Sequence, residues 1–277
     1  MSMQLTVLGS GSTGNSLLIK TEKTLVLIDA GMSAREILRR ISAVGCSPDR
    51  LDGIIVTHEH GDHAGGLRVL LGSVNCPVFI SDKTKEAYIS SRRNGQNSNE
   101  AEKRLKALAG RTVSISSNQP FCIGDVDFEP FSVPHDAADN FGFLARNNGL
   151  KFATLMDFGH MTPLIKSSLN ACDLLVIESN HSVDMLRACT VYSWELKQRI
   201  IGDYGHLSNE ALAEWINKDF DGKASHIVLA HLSQKANDPA LAHITAKTAL
   251  DSRHDSARIL TKITLSLHNE PTEWFRF

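Results

Sequence analysis

The stretch IIVTHEHGDHAGG, residues 54–66, constrains this chain more than any other. Directly after an apolar run that is typical of a buried strand, it places five histidines and acids close together: His58, Glu59, His60, Asp62 and His63. Burying so many ring nitrogens and charges is costly unless each finds a partner. A solvent-exposed loop would have no reason to favour histidine over lysine, glutamate or serine. Because neutral imidazole is a common ligand for divalent metals, the spacing H-x-H-x-D-H predicts a metal site on a strand-to-helix loop.

One loop cannot supply all the ligands of a metal cluster, so other acids and histidines at predicted strand ends are candidates. Four such residues follow apolar runs: Asp29 after LVLI, His135 in FSVPHD, Asp157 in TLMD and His231 in IVLAH. The presence of any one of these residues alone would be explained by a role in a turn or as a helix cap. Together with the H-x-H-x-D-H motif, they predict that strand ends present a shared group of metal ligands.

The segment GSGSTGNS, residues 9–16, has the G-x-G-x-x-G spacing of a dinucleotide-binding loop. That fingerprint requires a strand, a turn and then a helix. Here the residues after the glycines are NSLLIKTEKT, whose apolar positions form one block without helical spacing. The pattern therefore predicts a strand, a glycine turn and a second strand, and it disfavours a dinucleotide site. Two functions stay open for the turn: an anion-binding turn or a plain hairpin.

Composition and the search for targeting signals limit the classes of protein to which this chain can belong. The 277 residues are 42% hydrophobic and 22% charged, with a formal net charge of −2, so no long-range attraction to nucleic acid or anionic membranes is expected. The start lacks a signal peptide, and no apolar run approaches the length of a membrane span. The cysteines are scattered and odd in number, which is typical of buried thiols in a reducing compartment: Cys46, Cys76, Cys122, Cys172 and Cys189. We expect a cytoplasmic protein with no membrane association.

Strand and helix patterns alternate along the whole chain. Ser33 followed by Glu36 predicts a capped helix over SAREILRRISAV, and Asn147-Asn148-Gly149 predicts a hairpin turn. One helix is expected through the 180s and 190s, a second from Ser208 to Phe220, and strands over RILTKITLSL. Without a linker or a tandem repeat, the sequence predicts a single domain over residues 1–277.

The metal motif and the strand-end residues resemble the metallo-β-lactamase superfamily. Within it, GSGSTGNS, ESNH (178–181), GHLSNE (205–210) and LAHLS (229–233) resemble the YycJ/WalJ-type branch. The resemblance implies an α+β fold, a four-layer αββα sandwich with metals at the edge between its sheets. In one departure from the usual pattern, Met156 replaces a threonine before Asp157.

The resemblance also implies a ligand set. One metal ion would be bound by His58, His60 and His135, and a second by Asp62, His63 and His231, with Asp157 bridging both. The lack of cysteine ligands favours two zinc or manganese ions, with iron as a further option. Asp29 and Glu59 would support the ligands by hydrogen bonds. Such ions can share a hydroxide that attacks a substrate, with Asp62 and Asp157 taking part in catalysis.

Substrate-binding residues are expected around the metals. Ser12 and Asn15 in the glycine turn are candidates for anion contacts. His181 and His206 are candidates for substrate binding or for protonating the leaving oxygen, although a buried histidine in a structural role would explain each equally well. Ser208 is the predicted N-cap of the following helix, where a phosphate could meet backbone amides.

The resemblance implies a metal-dependent phosphodiesterase acting on nucleic acid, with a 5′→3′ exodeoxyribonuclease favoured and DNA favoured over RNA. Basic residues near the motif could contact the strand or could simply be solvated: Arg35, Arg39, Arg40, Arg92, Arg93, Lys103, Arg104 and Lys106. The alternative is hydrolysis of an ester, thioester or lactam, where the same hydroxide attacks a carbonyl carbon. A non-enzymatic metal-binding module is a third option. The oligomeric state is left open.

Overall fold

The computed structural model describes residues 3–91 and 99–277, so Arg92 and Arg93 lie outside the described residues. The strands are Gln4–Gly9 (β1), Ser16–Lys20 (β2), Leu25–Ile28 (β3), Gly53–Ile55 (β4), Val78–Ile80 (β5), Thr112–Ser114 (β6), Phe121–Ile123 (β7), Val126–Ser132 (β8), Phe141–Asn147 (β9), Leu150–Leu155 (β10), Leu174–Glu178 (β11), His226–Ala230 (β12), Lys262–Leu265 (β13) and Phe275–Arg276 (β14). The helices are Ala34–Ala43 (α1), Gly61–Ala64 (α2), Leu67–Leu70 (α3), Asp82–Ser90 (α4), Asn99–Leu108 (α5), Pro163–Leu169 (α6), Val183–Ala188 (α7), Trp194–Ile201 (α8), Asn209–Lys218 (α9), Pro239–Asp251 (α10) and Ala257–Leu260 (α11).

The first sheet has the strand order β14-β1-β2-β3-β4-β5-β6. Strands β14, β1, β2 and β3 pair antiparallel, whereas β3, β4, β5 and β6 pair parallel. Ile28 pairs with Ile55, so Asp29 and the H-x-H-x-D-H loop both follow strands that end at the same sheet edge. In parallel sheets this carboxyl edge is where ligand-binding loops gather.

The second sheet has the order β13-β12-β11-β10-β9-β8-β7. Strand β9 pairs antiparallel with β10, and β10, β11, β12 and β13 then pair parallel. The register aligns Leu155 with Ile177, and Ile177 with Leu229. Asp157, the ESNH segment and His231 therefore follow three neighbouring strands at one edge.

The described residues group into two compact units. Unit 1 comprises Met1–Pro130, Ala137–Phe141 and His268–Phe277, and unit 2 comprises Phe131–Asp136 and Gly142–Leu267. Each unit has its own core: Ile37, Ile54 and Leu67 are buried in the first, and Phe158, Ile177 and Leu212 in the second. The single domain expected over 1–277 stays a prediction.

Several local predictions are confirmed. The Ser33 side chain accepts the Glu36 N–H at the start of α1. Asn148 and Gly149, with φ of 48° and 84°, turn β9 into β10, as the hairpin signal requires. The glycine turn joins the antiparallel strands β1 and β2, and a helix does not follow it.

Two element predictions were wrong. The single helix expected through the 180s and 190s is two helices, α7 and α8, because Ser193 caps the second one and starts it anew. The predicted strand over RILTKITLSL begins only at Lys262, since residues 257–260 form the short helix α11. In the described residues, no helix has the length and apolar character that a membrane crossing requires.

Candidate metal centre

The H-x-H-x-D-H loop runs from the end of β4 into α2 and brings its histidine rings together. The centroid of the His58 ring lies 4.8 Å from the centroid of the His60 ring and 4.2 Å from that of the His63 ring. Asp62 and His63 belong to the first turn of α2, and the His63 Nε2 lies 4.0 Å from an Asp62 carboxylate oxygen. His58 and His63 are buried. The prediction that this motif forms a compact loop of candidate ligands between a strand and a helix is confirmed.

Asp29 and Thr57 fix the orientation of two of these rings. The buried Asp29 carboxylate lies 2.6 Å from His63 Nδ1 and also accepts the backbone and hydroxyl protons of Thr57. Because the Thr57 hydroxyl donates to Asp29, its oxygen is left to accept from His58 Nδ1, 2.9 Å away. Both rings are therefore protonated on Nδ1, so that their lone pairs lie on Nε2, the atom that would coordinate a metal. Asp29 thus has the supporting position predicted for it; Thr57 was missed, although it directly precedes the motif.

The glycine turn is tied to this loop by main-chain hydrogen bonds. Asn15 N–H donates to Asp62 O at 2.7 Å, and Gly31 N–H donates to Asn15 O. A Cβ at Gly31 would lie 1.7 Å from the Asp62 carbonyl oxygen, so only glycine permits this approach. The turn therefore fixes the backbone of the metal loop.

The Asn15 side chain is occupied inside the turn. Its carbonyl accepts from the Ser10 hydroxyl and the Gly11 N–H, and its amide nitrogen lies 2.9 Å from His63 Nε2. The residue is completely buried. Its hydrogen-bonding groups organise the turn, and its contact with a substrate stays a prediction. Ser12 is exposed at the tip, and its substrate contact stays a prediction.

Unit 2 presents its candidate ligands at the ends of β10 and β12 and after β8. Asp157 and His231 have left-handed backbones, with φ of 57° and 54°. For residues other than glycine this conformation costs about 1–3 kcal/mol and is typical of functional sites. The His231 ring contacts the Asp157 carboxylate, and His135 Nε2 lies 4.0 Å from that carboxylate. The His135 Nδ1 donates to the carbonyl oxygen of Gly205 at 3.2 Å, which again leaves Nε2 for a metal.

Glu178, at the end of β11, is the centre of the hydrogen bonds in unit 2. One carboxylate oxygen accepts from the Nδ1 atoms of His206 and His231, each at 2.9 Å. The other accepts the backbone N–H groups of Phe158 and Leu207. Although its complete burial would raise the pKa of Glu178, the two imidazoles lower it below the ordinary value. In the sequence, the one signal for Glu178 is its position in ESNH, directly after an apolar run.

His206 and His181 have different environments. Burial alone would lower the pKa of His206, but the carboxylates of Glu178 and Asp157 raise it above the ordinary value. Burial lowers the pKa of His181 to about 4. In the described residues the Nδ1 of His181 has no hydrogen-bond partner. His206 is therefore suited to carry a proton, and His181 is suited to act as a neutral ring.

Two backbone amides at the start of α9, where a phosphate site was predicted, have partners within the protein. The Ser208 hydroxyl accepts the Ala211 N–H, and the Asn209 N–H donates to the carbonyl oxygen of His181. The prediction of Ser208 as the N-cap is confirmed. Its hydroxyl and the first amide of the helix have internal partners, and its role in substrate binding stays a prediction.

Most of the basic residues that were considered as contacts for a nucleic acid are paired. Arg40 is buried and donates to the carbonyl oxygens of Leu8 and His268. Arg104 donates to backbone oxygens of α4 and its end, and Lys103 pairs with Glu100. These contacts favour the structural interpretation of the basic residues near the motif.

Glu59 faces a cleft of about 480 Å³ that is also lined by His60 and Arg68. Its carboxylate accepts the Ala138 N–H. Among the residues that the structure describes, no hydrogen bond joins the Glu59 carboxylate to a ligand imidazole of unit 1. The support of metal ligands by Glu59 therefore stays a prediction.

The candidate residues fit divalent metals by the chemistry of their donors. Asp157, Glu178, His206 and His231 of unit 2 form a group whose ligand atoms lie within 4.8 Å of one another. Four imidazoles have an acceptor at Nδ1, so that their lone pairs lie on Nε2: His58, His63, His135 and His231. The Nε2 of His63 accepts from the Asn15 amide, which a bound metal would displace. A carboxylate or carbonyl beside the second nitrogen is the usual partner of a metal-bound histidine.

Comparison with known proteins identifies the family of this chain. Residues 9–142 match the family model described as the metallo-beta-lactamase superfamily. The chain is 35% identical to the exodeoxyribonuclease WalJ of Streptococcus pneumoniae over 86% of its own length and 85% of the relative. It is 33% identical to the exodeoxyribonuclease YycJ of Bacillus anthracis, over 91% of each chain.

A solved structure supports the fold. The metallo-beta-lactamase fold protein YhfI of Bacillus subtilis has a TM-score of 0.70 at 16% identity and covers 98% of this chain and 99% of its own. The predicted α+β fold class, an αββα sandwich, is confirmed. The chain belongs to the metallo-β-lactamase superfamily, in the branch that contains WalJ and YycJ.

Proposed function

We propose that this protein is a metal-dependent exodeoxyribonuclease that degrades DNA from the 5′ end. The observation that best supports this function is the orientation of three imidazoles. The Nδ1 atoms of His63, His135 and His231 are hydrogen-bonded to Asp29, the Gly205 carbonyl and Glu178, so that each Nε2 has the lone pair that can bind a metal. The relatives named exodeoxyribonucleases align along nearly the whole chain, which supports the nuclease activity. The 5′→3′ direction and a cytoplasmic location are part of the proposal.

The proposed ligand set is the one that the resemblance to the superfamily implies. His58, His60 and His135 would hold one divalent ion, Asp62, His63 and His231 would hold a second, and Asp157 would serve both. Zinc or manganese suits this mixture of imidazole and carboxylate, and iron is a further option. When bound, such ions neutralise charge on a phosphodiester and act as Lewis acids.

His206 is the proposed proton donor to the leaving oxygen. Its Nδ1 is fixed by Glu178, while its side chain remains 22% exposed and so can reach a substrate. His181 is proposed as a neutral hydrogen-bonding residue for the substrate, since its Nδ1 has no partner in the part of the chain described. Glu178 acts as a positioning residue for His206 and His231.

A substrate panel tests the proposal. Protein purified without chelators is given single-stranded DNA labelled at the 5′ or the 3′ end, RNA of the same sequence, and a thioester. We expect rapid release of the 5′ label as a mononucleotide, slower action on RNA, and none on the thioester. Metal-stripped protein and the Asp62→Ala variant are the controls.

The outcomes separate the alternatives. Turnover of the thioester alone would refute the nuclease function and favour a carbonyl hydrolase of the same fold. Release of the 3′ label first would refute the direction while leaving the nuclease intact.

A further inference from the structure

An exposed apolar segment precedes the proton donor in the chain. Four large hydrophobic side chains between positions 191 and 204 are exposed: Val191, Trp194, Ile201 and Tyr204. Helix α8 lies within this segment and has no buried residue. Single exposed apolar residues are ordinary, but several in one short segment indicate a binding surface.

The backbone around Tyr204 is fixed by hydrogen bonds to the site in unit 2. The carbonyl of Tyr204 accepts the backbone N–H of Asp136 at 3.2 Å, and the carbonyl of Gly205 accepts from His135 Nδ1. The next residue, His206, donates to Glu178. Tyr204 is therefore anchored next to a proposed metal ligand and two residues before the proposed proton donor.

The ring of Tyr204 is exposed although its backbone is anchored. The residue is 64% exposed. A Cβ at Gly205 would lie 2.2 Å from the Arg199 and Ile200 carbonyl oxygens, so only glycine fits at this position of the turn. An aromatic ring on a fixed backbone loses little conformational entropy when a partner stacks on it.

The position of this segment, rather than its charge, favours a strand of DNA as the partner. Lys197 and Arg199 are balanced by Glu195 and Asp203, so residues 191–204 have no net formal charge. A second copy of the chain would also cover apolar rings. A strand of DNA, however, combines flat apolar bases with phosphates and has to reach His206, two residues away.

We propose that the Tyr204 ring stacks on a nucleobase of single-stranded DNA beside the phosphodiester that is cleaved. The inference rests on the proposed nuclease function and deepens it, because it assigns a subsite for a base rather than for a phosphate. Stacking of a base on an aromatic side chain is sequence-tolerant and is lost on substitution by alanine.

The test compares Tyr204→Ala and Tyr204→Phe with wild type, all loaded with metal. The substrates are a single-stranded DNA and the same strand with abasic residues at its 5′ end. Ile244→Ala, which removes another exposed apolar side chain, on α10, is the matched control. We expect Tyr204→Ala to raise KM for the intact strand about 10-fold, the size of one lost stacking contact, with kcat within about threefold.

Further results distinguish stacking from other roles. Tyr204→Phe should keep the wild-type KM, and on the abasic strand Tyr204→Ala and wild type should behave alike. The proposal is overturned if alanine leaves KM unchanged, if the defect persists on the abasic strand, or if the variant loses metal or thermal stability. A wild-type dimer that becomes a monomer in Tyr204→Ala would assign the surface to a second copy instead. A wild type that hydrolyses no DNA would refute the nuclease function as well as the stacking; normal hydrolysis by Tyr204→Ala would refute the stacking alone.

Discussion

Replacing Glu178 by glutamine tests how the protein prepares its imidazoles for metal. The substitution preserves size but exchanges one oxygen, which accepts hydrogen bonds, for an NH₂ group, which donates them. In wild type all four groups that meet this carboxylate donate to it: two imidazole Nδ1 atoms and two backbone N–H groups. Either orientation of the glutamine therefore places its NH₂ group against two donors.

The consequence for metal binding follows from the tautomers. If the NH₂ group faces the rings, it competes with the Asp157 carboxylate, which is the other acceptor at His231 Nδ1. The NH₂ group favours the tautomer with the proton on Nε2, in which the ring cannot coordinate a metal. If it faces the backbone, the Phe158 and Leu207 N–H groups are left buried and unpaired, at about 1–3 kcal/mol each. We expect the first orientation, because the backbone donors cannot change their state. Loss of such a supporting partner typically lowers metal affinity about 10–100-fold.

Metal affinity is measured by competition with a chelator of known affinity, on metal-stripped protein whose fold is checked by circular dichroism. Glu210→Gln is the matched control, since the Glu210 carboxylate accepts the backbone N–H of Val183 and is not bonded to an imidazole in the described residues. Wild-type affinity in Glu178→Gln, within a factor of two, would refute the idea that this carboxylate sets the tautomer of His231.

Four further substitutions, the first two with a shared outcome, test other parts of the site. Asp62→Ala or His63→Ala should empty mainly one metal position and lower turnover by orders of magnitude with the fold intact; elemental analysis with activity would show this, and full activity would contradict the ligand set. His206→Ala should retain both metals, lose about 10²–10⁴-fold on DNA and much less on an activated aryl phosphodiester, whereas an equal loss on both substrates would indicate a binding role. Gly31→Ala should destabilise the protein by about 3 kcal/mol or more in thermal unfolding, because the added methyl collides with the Asp62 carbonyl; an unchanged melting temperature would contradict this geometry.

The metal loop could be predicted because its chemistry is local in sequence. Four candidate ligands lie within six residues: His58, His60, Asp62 and His63. The apolar strand before them places the loop at a sheet edge. Asp157 and His231 could be predicted as further metal ligands, because each follows a recognisable strand.

The supporting residues could be predicted only in part, because their roles depend on contacts between distant positions. Glu178 meets His206 and His231 through the register of β11 and β12, which the sequence does not specify. The amide of Asn15 could be placed near the metals, but nothing local shows that Ser10 and Gly11 already occupy it. Likewise, the cap at Ser193 that separates α7 from α8 resembles any serine in a helical pattern.

The most direct test of the central claim is a metal titration of the stripped enzyme, with release of nucleotides from 5′-labelled single-stranded DNA as the signal. We expect no hydrolysis without metal. Activity should rise to a plateau at about two manganese or zinc ions per chain, because the proposed ligand set can bind two ions. Hydrolysis by the stripped protein, or a plateau at one ion per chain, would contradict it.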